Sequence, residues 1–321
     1  MAAAPQPERA TAEAHADGGD RPSALARLTV RGAYPIVILL GIGIYTTLGS
    51  LGVPATVASY VAVVVGAGLV TLHEIFVPYR PEWRPQGDDV RADVAFMLAV
   101  QVVLPLLLAL GATTAFAGWL REGDLTFGSL WPHTWPVALQ AVLMLAVADF
   151  FRYWMHRAFH GSAFMWRWHA VHHSPHRLYW LNVGRFHPGE KAVQFCVDAL
   201  PFVLVGVGSE VLAAYFVFYA LNGFYQHSNC NVRLGWLNYL ISGPELHRWH
   251  HSELPAESDH NFGNNLIIWD VLFGTRYLPA DAAVGRLGLL NREYPRSFVA
   301  QMRTPLIRGL DKRAAEGATS S

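Results

Sequence analysis

Cysteine is almost missing from this 321-residue chain. Cys196 and Cys230 are too few for a disulfide framework and form no C-x-x-C pair. A surplus of one charge is also missing, because 24 Lys and Arg balance 24 Asp and Glu. That balance excludes the basic surface a nucleic-acid partner needs. No Gly-rich phosphate loop, Walker or Rossmann pattern and no internal repeat occurs. Charged residues make up only 15% of the chain and apolar residues 52%, which places much of it in a bilayer.

Residues 1–31 are rich in Ala, Pro, Gly and charge without apolar period, and read as a disordered tail. Four apolar runs, 34–51, 53–77, 92–120 and 135–154, are long enough to cross a hydrocarbon core of about 30 Å. The first continues directly into the second, so the pair reads as a retained membrane hairpin and not a cleaved signal. Arg21, Arg27 and Arg31 precede that hairpin and Arg80, Arg84 and Arg91 follow it, so the positive-inside rule puts both ends in the cytoplasm. The fourth run then also ends there, at His156 and His160. A further apolar stretch, 192–225, is interrupted at Pro201 and Gly206–Gly208 and reads as a helical hairpin that enters the membrane and returns. The expected fold is all-α: a polytopic membrane protein with about four transmembrane helices, an embedded hairpin and a cytoplasmic His-rich cap. The expected division is a tail at 1–31, three spans within 32–135, a catalytic region at 136–280 and a C-terminal tail at 281–321.

Histidine is what the chain has in excess, and twelve of its 15 lie between His156 and His260. Three boxes stand out: His156-x-x-x-His160, His169-x-x-His172-His173 and His247-x-x-His250-His251. Residues three or four apart share a helical face, so each box is expected to aim two or three imidazoles at one point. Eight such donors exceed what one ion uses, and imidazole suits iron, zinc, copper or nickel, so two ions are expected. His227, following the embedded hairpin, and His187, preceding it, are additional candidates. Asp149 lies two turns before His156 and is a candidate acceptor for an imidazole N–H. Asn264 and Asp270 are candidates for the same role, or for capping and turns. His15, His73 and His133 read as structural or surface residues, His176 and His260 as neighbours of the boxes, and Trp166, Trp168, Trp180 and Trp249 as packing.

The order of the three boxes resembles that of the fatty acid hydroxylase/sterol desaturase superfamily. Arg185-Phe186-His187-Pro188-Gly189-Glu190 resembles the R-x-H-P-x-E element of its bacterial members. His227-Ser228 resembles a later single-His box, and Asn261-Phe262-Gly263 with Trp269–Thr275 resembles the closing signature. The resemblance covers about residues 149–275. It implies a non-haem centre of two Fe2+ ions with O2 as cosubstrate, held by His156, His160, His169, His172, His173, His227, His247, His250 and His251, with His187 a further match. It implies hydroxylation of a lipid C–H bond, fatty acyl, sterol, hopanoid or carotenoid, or desaturation by the same centre. His187-Pro188-Gly189 is similar to the haem motif of cytochrome b5 domains, but Glu190 stands in place of its second Gly. Electrons are therefore expected from a separate ferredoxin, cytochrome b5 or reductase. A membrane metal carrier is the rival from another class, and a structural zinc site a third reading. The boxes fall at helix ends and not near a midplane, and the cluster contains no thiolate, which argues against both.

Overall fold

A computed structural model of the chain describes residues 24–121 and 130–310. The described residues are helical, with isolated bridges such as Pro78 to Cys230 and no strand. This is the all-α membrane fold expected from the apolar runs. Four helical segments have the length and composition to cross a membrane: Leu28–Ser50, Ala55–Phe76, Gly87–Ala112 and Val137–Gly161. The tail expected at 1–31 lies outside the described residues up to residue 23, as does His15. Its last residues instead form the start of helix α1, Ala24–Ser50.

Helix α1 turns into α2, Ala55–Phe76, through Gly52, whose φ of +82° is open to glycine at no steric cost. Pro54 then precedes α2 and ends the preceding helix. Helix α3, Gly87–Phe96, starts before the apolar run does, because Asp88 and Asp89 suit its positive N-terminus. It continues through a π-helical segment, Met97–Val103, into α4, Leu104–Arg121. Helix α5, Val137–Gly161, follows Pro136 and extends well past the apolar run, so His156 and His160 ride on the spanning helix itself.

The expected embedded hairpin is present as α7, Pro188–Asp198, a short α8, Leu200–Leu204, and α9, Ser209–His227. The reversal falls at Val205–Gly208, where Gly206 has φ +75°. Helix α9 packs between α1 and α2 in a core that includes Tyr34, Ile38, Ala62, Val70, Val217 and Leu221. Outward residues of the spans, among them Leu39, Val64, Leu72, Leu107 and Leu110, are exposed. That inversion of a water-soluble pattern is what a lipid solvent requires.

The cap gathers at one end of the spans. Arg233 N donates to Val30 O near the start of α1 at 2.9 Å, and Arg80, just past α2, donates to Val284 O at 2.5 Å. The cap includes α6, Ala163–His173, and α10, Pro244–His250, followed by α11, Pro255–Ser258, and α12, Ile268–Phe273. Residues 281–310, suggested by sequence as part of a tail, pack onto it. Leu287 is buried with Leu178 and Trp249, and Tyr294 with Trp166. The last described helix, α13, Phe298–Gln301, sets Phe298 against Phe96.

Candidate metal centre

Four helices deliver histidines to one buried volume. Helix α5 ends on His156 and His160. Ser162 then breaks the chain direction and caps α6, its Oγ accepting from Met165 N at 3.4 Å. Helix α6 carries His169, His172 and His173, and α9 ends on His227. Pro244 opens α10, which carries His247 and His250 and closes on His251.

Nine imidazoles fall into two groups whose nitrogens lie within 4.8 Å of one another: His156, His160, His169, His173 and His250, and His172, His227, His247 and His251. The two H-x-x-H-H boxes are therefore shared between the groups, while His156 and His160 stay together in the first. A helix turns 100° per residue, so residues four apart lie about 40° from each other while His172 and His173 diverge by about 100°. His169 and His173 thus join one group and His172 the other. His247 and His251 join the second group and His250 crosses to the first.

The ring nitrogens are divided in the same way. The Nδ1 atoms of His156 and His250 donate outward to the carbonyls of Phe262 at 2.8 Å and His260 at 2.9 Å. His160 and His169 donate from Nδ1 to Asp259 and Glu190, each at 2.8 Å. His172 donates to Arg185 O at 3.3 Å and His227 to Asn182 Oδ1 at 2.9 Å. A carbonyl can only accept, so those Nε2 atoms carry lone pairs into the interior. His156 Nε2 and His169 Nε2 face each other at 3.0 Å, and His173 Nε2 faces His250 Nε2 at 3.1 Å. His227 Nε2 is buried with no hydrogen-bond partner. Metal–nitrogen bonds of about 2.0–2.1 Å at right angles separate two donors by about 3 Å, so the arrangement fits divalent ions held by neutral imidazoles. Burial first, and then the neighbouring histidines, hold His172, His173, His247 and His251 well below the ordinary imidazole range, which keeps them neutral.

His187 lies outside both groups. Its Nδ1 accepts from Gly189 N at 3.0 Å, capping α7, and its Nε2 donates to Met302 O at 3.3 Å. In the same element Phe186 stacks on His172 at 4.1 Å, beside the contacts of Arg185 O with His172 and of Glu190 with His169. Asp149, Asn264 and Asp270 touch no imidazole, and all three fasten the loop that follows His260. Asp149 accepts from Asn265 N at 2.7 Å and Leu266 N at 2.5 Å. Asp270 accepts from Phe262 N at 2.8 Å and Gly263 N at 2.7 Å. Asn264 Oδ1 accepts from Arg152 at 3.0 Å. The same loop presents Phe262 O to His156, so these residues act on the ring one step removed. The side chains that do touch imidazoles, Glu190, Asp259 and Asn182, were not singled out from sequence. Glu190 had a visible signal, an acidic residue in the first turn after Pro188, but its contact partner is set by the crossing of α6 and α7.

Trp166 packs on His160 and His173, with ring centres 5.1 Å from each. His73 sits on Tyr225 far from the groups, its Nδ1 3.3 Å from the phenol oxygen. Beside the centre lies a cavity of about 220 Å³, reached by His156, His169, His172, His227 and His247. Its other walls are mostly apolar residues of α2, the π-helical segment and α9, with a polar end at Arg152, Glu190, Gln194 and Asn264.

The profile of the family described as fatty acid hydroxylase matches residues 141–275, the segment that contains every grouped histidine. The ornithine lipid hydroxylase of Rhizobium tropici is 34% identical over 242 residues, 75% of this chain and 73% of that protein. The chain belongs to the fatty acid hydroxylase family. Other family relatives include the human alkylglycerol monooxygenase, 29% identical over 64% of this chain and 44% of that protein. A very-long-chain aldehyde decarbonylase of Oryza sativa is 31% identical over 63% of this chain and 74% of that protein. The chain thus spans less than half of the human relative. No solved structure gives a significant match.

Proposed function

We propose that the chain is a membrane-bound oxygenase in which the nine grouped histidines hold two iron ions and a lipid C–H bond is hydroxylated. The observation that carries this reading is the division of nine imidazoles into two groups, six of them with Nδ1 donating outward and the Nε2 lone pair turned in. When bound, iron with O2 supplies the oxidation of an unactivated C–H bond, which side-chain acids, bases and nucleophiles cannot perform. One oxygen atom enters the C–H bond and the other leaves as water, with two electrons drawn from a separate ferredoxin, cytochrome b5 or reductase and two protons drawn from solvent.

The protein's own part is to orient and to exclude. Outward hydrogen bonds fix the tautomer and direction of His156, His160, His169, His172, His227 and His250. The apolar walls of α2 and α9 admit a lipid from the bilayer without crossing water. The relatives named as hydroxylase and monooxygenase favour hydroxylation over desaturation by the same centre. The arginines flanking the spans support a cytoplasmic side for the cap and the N-terminus. Comparative lipidomics of a deletion strain tests the reading. A lipid one oxygen atom heavier than its precursor disappears and returns on complementation. Loss of a lipid two hydrogens lighter than its precursor points to desaturation, and an unchanged lipid profile contradicts both.

A further inference from the structure

The polar end of the cavity holds more hydrogen-bonding capacity than the protein uses. Arg152 and Gln194 are buried, at 5% and 1% exposure, and Glu190 is buried beside them at 2%. Gln194 Nε2 donates to Glu190 Oε1 at 2.9 Å, which leaves Gln194 Oε1 and Glu190 Oε2 without partners. Arg152 Nε and Asn264 Nδ2, on two further residues of the cavity lining, also lack partners. Two unpartnered acceptors and two unpartnered donors therefore sit on residues that line one cavity, and buried groups of this kind are costly unless something satisfies them.

Their charges compensate. Arg152 Nη1 lies 3.5 Å from Asp198, and Lys191 sits close enough to Asp198 to interact with it. With Glu190 present as well, the cluster has no positive surplus to attract a phosphate or carboxylate. The position relative to the centre is fixed by two helical repeats. Arg152 is one turn from His156 on α5, and Gln194 is one turn from Glu190, which holds His169. The rest of the lining, including Val63, Val64, Phe216 and Phe224, is largely apolar and suits hydrocarbon.

We propose that this polar end binds an uncharged group offering both a donor and an acceptor, an amide or a hydroxyl, on the lipid that is oxidised. The oxidised carbon lies within a few bonds of that group, with the hydrocarbon chain along α2 and α9. The inference rests on the oxygenase reading of the same centre and specifies its substrate class.

Three probes of similar length test it: N-dodecylacetamide, pentadecane and tetradecanoate. Each is bound to the full-length, metal-loaded protein in nanodiscs, with uptake by protein-free nanodiscs subtracted. The amide is expected to bind about tenfold more tightly than either of the others. Gln194→Met is expected to lose about tenfold for the amide and nothing for pentadecane, whose retained binding reports an intact cavity. Equal affinities, tightest binding of the carboxylate, or an equal loss for all three probes in Gln194→Met overturns the proposal. Reductant-dependent oxygen uptake is followed in the same samples. Amide preference without uptake supports the binding site and contradicts the oxygenase reading alone.

Discussion

At the scale of single residues, each imidazole has two nitrogens with different work to do, and the partner of the outward one sets the aim of the inward one. Glu190 is the clearest case, buried against His169 at 2.8 Å. Replacing Glu190 by Leu removes the acceptor, and metal affinity is expected to fall about 10–100-fold, while Glu190→Gln, which keeps an acceptor oxygen, recovers most of it. Competition with a chelator of known affinity measures this without reference to turnover. His172→Ala and His250→Ala each remove a donor from a different group, so each is expected to lower metal content and abolish oxygen uptake. His133→Ala, on an exposed residue, is expected to change neither.

Asp270 holds two backbone N–H groups of the loop that carries Phe262. Asp270→Ala leaves them buried without acceptors and is expected to destabilise the protein by about 2–4 kcal/mol, read as a lowered unfolding midpoint. The histidine types and spacings were readable because metal binding demands them locally. The role of Asp149 was not, because it is decided by a loop more than a hundred residues away, whereas turn roles were among those expected of Asn264 and Asp270. His187 illustrates the same limit. A histidine before Pro188 is equally suited to cap a helix, and the structure puts it there.

At the scale of elements, the contact of α1, α2 and α9 depends on small residues. A Cβ on Gly41 or Gly66 would come within 2.3 or 2.1 Å of a Leu221 methyl. Small residues at such crossings let helices approach closely where lipid gives no hydrophobic drive. Gly66→Val is expected to cost about 1–3 kcal/mol through overpacking. Combined with Leu221→Ala it is expected to cost less than the sum of the two single changes, by about 1–2 kcal/mol. Unfolding midpoints of the four proteins in the cycle give the coupling, and strict additivity would contradict the contact. Gly263 is different, because a Cβ there meets the backbone oxygen of Leu266 at 2.2 Å. Apolar length made the four spans legible. The sharing of each H-x-x-H-H box between two groups follows from the 100° turn per residue, yet which histidine crosses over depends on how α6 and α10 face each other.

At the scale of the whole molecule, the ends of the spans that bear arginine in the sequence are the ends that meet the cap. Arg80 and the backbone at Val30 both contact cap residues. A hairpin, an outward span and a returning α5 therefore bring every grouped histidine to one end of the bundle. The polar cap is secured by contacts from residues 281–310, whose sequence has little apolar periodicity, so their packing was not readable in advance.

The central claim is a pair of redox metal ions held by neutral imidazoles, and metal analysis of the purified full-length protein, with oxygen uptake in the same sample, tests it most directly. The account predicts about two iron ions per chain and uptake that requires reductant and lipid. Tightly held zinc with no reductant-dependent uptake would contradict it.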